Sequence, residues 1–95
     1  MNNLADVLHA LSDPHRLHVV RALAEDPEPR SCGSFYEEMD VAKSTLTHHF
    51  RVLREAGVIS QHREGTVKLN TLRREELERR FPGLLDAVLG VPAGV

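Results

Sequence analysis

Residues 40–72 constrain the possible fold more than any other part of the chain. They comprise a short turn, an amphipathic helical pattern, a break at Gly57, and two short strand patterns joined at Glu64-Gly65. Helical and alternating periodicities in direct succession predict a helix that leads into a β-hairpin. Preceded by further helices, this order is that of a winged helix-turn-helix. We therefore expect a mostly α domain with a small hairpin, in the order α-α-α-α-β-β-α.

The helical pattern after the turn is divided into two faces. One stripe, predicted to face the core, lies within about 40° of Leu46 on a helical wheel and holds Leu46, Phe50, Leu53 and Gly57. The opposite, polar face holds Ser44, Thr47, His48, Arg51 and Glu55. A flank predicted to pack on the preceding helix holds Thr45, Val52 and Ala56. Small polar and cationic side chains suit contact with base edges in a major groove, whereas the alternative is an ordinary solvated helix face.

The hairpin that follows is rich in cations at its tip. Gly65 supplies the positive φ that a tight turn requires, and Arg63 and Lys68 flank the turn. With His62 and Thr66, these side chains are candidates for contacts with phosphates or with a minor groove. The alternative is a charged edge strand that resists aggregation. The set as a whole favours double-stranded DNA as the partner.

The distribution of charge supports the same interpretation. The 95 residues, 41% hydrophobic and 4% aromatic, predict one helix-rich domain over residues 1–95. The formal net charge is −2, but residues 1–42 carry −5, residues 43–68 carry +3, and residues 69–95 are neutral. Positive charge is therefore concentrated on the predicted helix and wing, which favours one-sided and salt-sensitive docking on DNA.

The single cysteine and the absence of long apolar runs indicate the compartment. Cys32 has no intramolecular disulfide partner, which fits a reducing cytoplasm. No apolar run approaches the roughly 18 residues of a membrane span, and no secretory signal pattern begins the chain. We expect a cytoplasmic protein with no membrane partner.

The remaining segments predict helices with recognisable starts. A first helix covers residues 3–11, and Asp13 and Pro14 are a good N-cap and first residue for a second helix that ends near Ala24. A proline-rich acidic loop follows, and Ser31 is expected to cap a short third helix. A charged helix over residues 73–80 is expected to be interrupted near Pro82-Gly83.

Two terminal apolar stripes have no obvious place in so small a core. We expect the first and last helices to form a homodimer face, whereas the alternative is that the last segment folds back on its own domain. The residues assigned to the dimer face are Leu4, Val7, Leu8, Leu84, Leu85, Val88 and Leu89.

Over roughly residues 4–90, the chain resembles the ArsR-type (ArsR/SmtB) winged-helix transcriptional repressors. Residues 10–17, ALSDPHRL, are similar to the family's ALSDPxRL element. Residues 44–59, STLTHHFRVLREAGVI, are similar to its recognition helix, and residues 63–65 match its REG wing tip. Three elements in the correct order make the resemblance specific.

The resemblance implies a homodimeric repressor with one recognition helix in each major groove of a pseudo-palindromic operator. It also implies an inducing signal, whose identity the sequence does not disclose. The residues that it places nearest DNA are Ser44, Thr45, Thr47 and His48. The helical wheel places Thr45 on the flank instead, so the resemblance alone supports that residue.

Two positions depart from the family pattern. Asp40 stands in the turn where relatives usually have a small residue such as Gly, and Ala42 stands at the helix N-cap where they have Ser. Ala42 forgoes a capping hydrogen bond, a loss of about 1 kcal/mol. Lys43 opposes the helix dipole, which a docked DNA phosphate would offset, so Lys43 is predicted to contact phosphate.

This chain lacks the residues that bind metal ions in the known metal sites of the family. Relatives use paired cysteines on the third helix, or His and carboxylates on the last one, and this chain has neither set. No cofactor and no metal are expected. Cys32 is expected to be a small buried hydrophobe, and His49 a packed, hydrogen-bonded structural residue. His15 and His18 share a helix face, but no third ligand is evident beside them.

Three classes of function compete. A DNA-binding repressor is favoured, with a variant in which Cys32 responds to oxidation across a dimer. A winged-helix protein interaction module without DNA binding is the alternative, supported by the acidic first half but opposed by the polar face of the recognition helix. An enzyme is disfavoured because no phosphate-binding loop or nucleophile arrangement is present.

Overall fold

The computed structural model describes residues 2–90; Met1 and residues 91–95 of the predicted domain lie outside them. Its elements are α1 (Leu4–Leu11), α2 (Pro14–Glu25), β1 (Arg30–Ser31), α3 (Cys32–Glu38), α4 (Lys43–Glu55), β2 (Ile59–Glu64), β3 (Val67–Leu72), α5 (Arg74–Arg80) and α6 (Leu84–Leu89). The predicted mostly α, winged order is confirmed, with one added strand and a divided last helix. Within residues 2–90, no helix is both long and apolar enough to span a bilayer.

The sheet has three antiparallel strands in the order β1-β3-β2. Strand β1 was not predicted, because two residues cannot display an alternating pattern. Arg30 in β1 lies opposite Asn70 in β3, so β1 anchors the base of the wing to the segment that leads into α3. The wing itself is formed by β2 and β3, which turn at Gly65 with a φ of 63°.

The predicted helix starts are confirmed. The Asp13 carboxylate accepts hydrogen bonds from the backbone N–H groups of His15 and Arg16 at 2.9 and 3.1 Å, and Pro14 is the first residue of α2. The Ser31 hydroxyl caps α3 in a similar way. These bonds satisfy N–H groups that have no partner within the helix.

The recognition helix α4 is held by its apolar stripe. Leu46 and Leu53 are fully buried, and Phe50 is nearly so. The Phe50 ring meets the Phe35 ring of α3 edge to face, with 5.7 Å between centroids. Gly57 ends the helical segment with a φ of 78°, which L-residues with side chains rarely adopt. The predicted stripe and break are therefore confirmed.

The last helical segment is interrupted where the sequence predicts. Gly83 has a φ of 83° and separates α5 from α6. Arg21 of α2 donates a hydrogen bond to the carbonyl of Leu89 at 3.0 Å, which ties the end of α6 to the body of the domain. The segment thus folds back on its own chain, as the alternative interpretation expected.

This packing corrects part of the predicted dimer face. Val7 and Leu85 are fully buried inside a single chain, so their side chains are core residues that offer no surface to a partner. The half-buried side chains of Leu84, Val88 and Leu89 also pack against the core. Leu4 and Leu8 remain 45% exposed, one helical turn apart.

Candidate nucleic-acid interface

The polar face of α4 is open to solvent. All six residues predicted to contact DNA from this helix are exposed: Lys43, Ser44, Thr45, Thr47, His48 and Arg51. Thr45 was expected on a packed flank, and the structure corrects this, because only Val52 and Ala56 of that flank are shielded. The side chain of Thr45 is therefore available to a ligand together with its neighbours.

Tyr36 of α3 extends the same surface. Its hydroxyl lies 3.2 Å from Thr47 Oγ1, which in turn donates a 2.9 Å hydrogen bond to the carbonyl of Lys43. The Lys43 ammonium lies 5.2 Å from the centroid of the Tyr36 ring, within reach of a cation–π contact. Sequence reasoning missed Tyr36, since its place on a short amphipathic helix gave no sign of the neighbouring helix.

The wing presents a pair of like charges. Arg63 and Lys68 lie directly opposite each other across the β2–β3 ladder, and both are exposed. Like charges at opposed positions destabilise a hairpin. A polyanionic ligand would offset this repulsion. His62 and Thr66 are exposed beside them, so all four predicted wing residues lie at the tip of the hairpin.

A cationic groove separates the recognition helix from the wing. Its volume is about 600 Å³, and its described lining includes five cations but no acidic residue. The cations are Lys43, Arg51, Arg54, Arg63 and Lys68. Side chains from α4 and from both wing strands thus converge on one concave surface, where their fields add.

A buried polar cluster joins α4 to the rest of the domain. Arg16 Nη1 lies 3.1 Å from His49 Nδ1, and Arg16 also donates to the carbonyls of Ala10 and His9 at 2.7 and 3.2 Å. Arg16 and His49 are both buried. His49 is therefore the packed, hydrogen-bonded structural residue that the sequence predicts.

The surroundings of this cluster lower the pKa of His49 and that of the adjacent Asp13. Burial lowers the pKa of His49, and the charge of Arg16 lowers it further, against an opposing effect of Asp13. For Asp13, burial raises the pKa, but the hydrogen bond from the Arg16 N–H and the charges of His49 and Arg16 prevail and lower it. The cluster thus favours a neutral imidazole beside an ionised carboxylate.

The two histidines of α2 have different neighbours and do not form one metal site together. His18 Nε2 lies 2.6 Å from Glu38 Oε2, whereas ligand atoms of Asp13, His15 and His49 lie within 4.8 Å of one another. The guanidinium of Arg16 donates to Nδ1 of His49, so in the neutral ring the proton resides on Nε2. The fixed positive charge of Arg16 beside the His49 ring disfavours a metal ion there.

Cys32 differs in part from the expectation of a buried hydrophobe. It is only half-buried, and its Sγ lies 3.4 Å from Asn70 Nδ2, which donates to it. Asn70 itself is fully buried and was not singled out by sequence reasoning, because a lone polar residue in a strand resembles a solvent-facing position.

Helices α3 and α4, followed by the cationic β2–β3 wing, define the class of the protein as a winged helix-turn-helix DNA-binding domain. Comparison with known proteins agrees. Residues 11–62 match the family model described as "Helix-turn-helix domain". The chain is 35% identical to the transcriptional repressor SdpR of Bacillus subtilis over 88 residues, which are 93% of this chain and 92% of that protein.

Two further likenesses identify the family. The chain is 33% identical to the uncharacterized HTH-type transcriptional regulator YceK of Bacillus subtilis over 84 residues, which are 88% of this chain and 84% of that protein. The crystal structure of an ArsR family transcriptional regulator superposes with a TM-score of 0.72 at 25% identity, covering 80% of this chain and 81% of the other.

The protein therefore belongs to the ArsR family of winged helix-turn-helix transcriptional regulators. The names of these relatives describe regulators of transcription rather than enzymes, which confirms the predicted class of function.

Proposed function

We propose that the protein is a homodimeric repressor that binds a pseudo-palindromic operator through α4 and the wing. The observation that carries the proposal is the groove of about 600 Å³, whose described lining includes five cations and no acidic residue. A protein-binding module without DNA would gain nothing from such mutual repulsion, whereas closely spaced phosphates would neutralise it.

The recognition helix would lie in the major groove. Its exposed hydroxyl, imidazole and guanidinium groups match the donors and acceptors of base edges, and Arg51 is the residue best suited to a bidentate contact with guanine. At the helix start, Ala42 provides no side-chain cap. A backbone phosphate near Lys43 would accept from the free N–H groups and interact favourably with the helix dipole.

Dimerisation would use the exposed part of α1. Leu4 and Leu8 are two of the three large hydrophobic residues of residues 2–90 that are most exposed. They lie within about 40° of each other on the helix, and with the rims of Leu84, Val88 and Leu89 they would bury apolar area in a symmetric pair. Two copies related by a two-fold axis would present two recognition helices to two half-sites.

DNA binding is tested by fluorescence anisotropy with the duplex upstream of the protein's own coding sequence. Unlabelled specific and unrelated duplexes compete, at two salt concentrations. We expect binding that survives the unrelated competitor and weakens as salt rises. Absence of binding at low salt by a folded protein would refute the proposal and favour the interaction module.

Dimerisation is tested by sedimentation velocity on the wild type and on Leu8→Glu. We expect a dimer in the first case and a monomer in the second, because a carboxylate would be buried in an apolar interface. His9→Glu, about 100° further around the same helix, serves as the matched control and should remain dimeric. A monomeric wild type, or a dimeric Leu8→Glu, would remove α1 from the interface.

A further inference from the structure

A continuous chain of side-chain hydrogen bonds lies beneath the wing. Arg54, near the end of α4, donates to Gln61 Oε1 at 2.9 Å. Gln61 Nε2 donates to Asn70 Oδ1 at 2.7 Å. Asn70 Nδ2 then donates to the carbonyl of Arg30 at 3.0 Å and contacts Cys32 Sγ at 3.4 Å. The chain crosses from the recognition helix through β2 and β3 to β1 and the start of α3.

Asn70 is the residue that makes this chain unusual. It lies in the central strand with no exposed surface. Burial of an amide is unfavourable unless its donor and acceptor are both satisfied, and here both are. An aliphatic residue would fill such a site without this requirement. The polar choice therefore fixes one arrangement of its neighbours rather than simply filling space.

The network lies at the base of the wing, which the buried side chains of Ile59 and Leu72 also hold against the core. Gln61 and Asn70 are direct partners in the β2–β3 ladder, so their side-chain bond matches the strand register. Beyond them, residues 62–68 are all exposed, and no side-chain hydrogen bond among the described residues 2–90 ties those residues to the body. The direction of the wing is therefore set at its base.

We propose that Gln61 and Asn70 are positioning residues that set the angle between the wing and the recognition helix. The hydrogen bond from Arg54 to Gln61 fixes β2 relative to α4, and the contacts of Asn70 with Arg30 and Cys32 hold β3 against β1 and the start of α3. The angle places Arg63 and Lys68 where the duplex meets the wing while α4 occupies the major groove. This inference rests on the proposed DNA binding. Asn70 is fully buried and so would touch no DNA, and the half-buried Gln61 lines the base of the cationic groove.

The test requires variants that stay folded. The double variant Gln61→Leu with Asn70→Leu removes both amides together, so it leaves no unpaired amide between them. The Arg30 carbonyl loses its side-chain donor and Arg54 its acceptor, so a moderate loss of stability is expected. Thr71→Ala, at an exposed position beside Asn70 on β3, is the matched control. Thermal unfolding confirms that each variant is folded.

Affinity is measured for a series of duplexes shortened in steps from the ends that the wings contact. We expect wild type and Thr71→Ala to lose affinity as the wing-contacting base pairs are removed. The double variant should bind the longest duplex roughly two- to thirty-fold more weakly than wild type. It should equal wild type on the shortest duplex and be insensitive to shortening. A folded double variant with the affinities of wild type at every length would overturn the proposal, as would an equal loss at every length.

A measurement without DNA separates this inference from the proposed function. Backbone ¹⁵N relaxation reports the motion of residues 62–68 in the free protein. We expect faster motion of these residues in the double variant than in wild type and Thr71→Ala. Failure of wild type to bind any duplex would defeat the proposed function, while unchanged relaxation in the double variant would defeat the positioning role.

Discussion

The recognition helix and the wing are positioned by different forces. Helix α4 is fixed by burial, because Leu46 and Leu53 are fully enclosed and His49 is bonded to the buried Arg16. The wing is anchored only at its base, by the buried side chains of Ile59 and Leu72 and by the hydrogen bond between the amides of Gln61 and Asn70, and residues 62–68 beyond it are all exposed. A binding surface can thus combine one part held along its length by the hydrophobic core with a second part held only at one end.

Among substitutions that test this comparison, the largest change in stability is expected in the core beneath α4. Leu46→Ala removes a fully buried side chain and should lower the free energy of unfolding by about 2–5 kcal/mol, through lost burial and the cavity left behind. Urea unfolding followed by circular dichroism measures the change. Thr45→Ala, at the exposed neighbouring position, should change stability little. A small loss for Leu46→Ala would show that burial does not hold the helix.

The exposed face of the same helix should behave in the opposite way. Arg51→Ala and His48→Ala should each weaken operator binding by about 1–3 kcal/mol if the side chain contacts a base edge. Neither should alter unfolding or dimerisation, because both side chains are exposed. Anisotropy titrations measure the loss, with Glu55→Ala, exposed on the same helix, as the control. Wild-type affinity in both variants would mean that the contact face is wrongly assigned.

The difference between burial along a helix and single polar contacts explains which features could be predicted from the sequence. The stripe of α4, the cap at Asp13 and the break at Gly83 leave periodic or local signals, and the structure confirms them. The partnership of Arg16 with His49 and that of Gln61 with Asn70 join residues far apart or on separate strands. Such pairs leave no period in the sequence, since only the folded chain brings them together.

The dimer face shows the same limit. An apolar stripe predicts that a helix is buried but does not specify what covers it. Val7 and Leu85 belong to such stripes and are covered by their own chain, whereas Leu8 is not. A 95-residue chain has a core large enough to accept both terminal helices in part, so only part of each apolar stripe remains for a partner.

The polar attachment of α4 should make stability depend on pH. His49 has a lowered pKa in the folded state, so the unfolded chain binds the proton more readily. Its contribution is fully present above the ordinary histidine pKa of about 6.5 and is lost as pH falls from there through the folded value. The lowered pKa of Asp13 acts separately: its contribution is present above the usual carboxyl pKa of 3.8 and is lost at more acidic pH.

Thermal unfolding between pH 8 and pH 5, roughly the range in which histidines titrate, measures the His49 contribution. Wild type should lose stability toward pH 5, and His49→Gln should show a smaller loss, because a glutamine carbonyl can accept from Arg16 without titrating. His62→Gln, at the exposed wing, is the control and should retain the wild-type profile. Identical profiles for His49→Gln and wild type would assign the pH dependence to other groups.

The smallest effect is expected at the tip of the wing, where binding and stability should change in opposite directions. Arg63→Ala or Lys68→Ala removes one of two opposed cations, so each should leave the hairpin as stable as wild type or slightly more so. Each should weaken operator binding, and the slope of log affinity against log salt should fall by about 1 for each lost phosphate contact. Glu64→Ala, at the same tip, should not lower that slope. Because the cations repel each other in the free protein, only a bound polyanion can make them favourable. An unchanged slope in both cation variants would therefore show that the wing does not meet the backbone of the DNA.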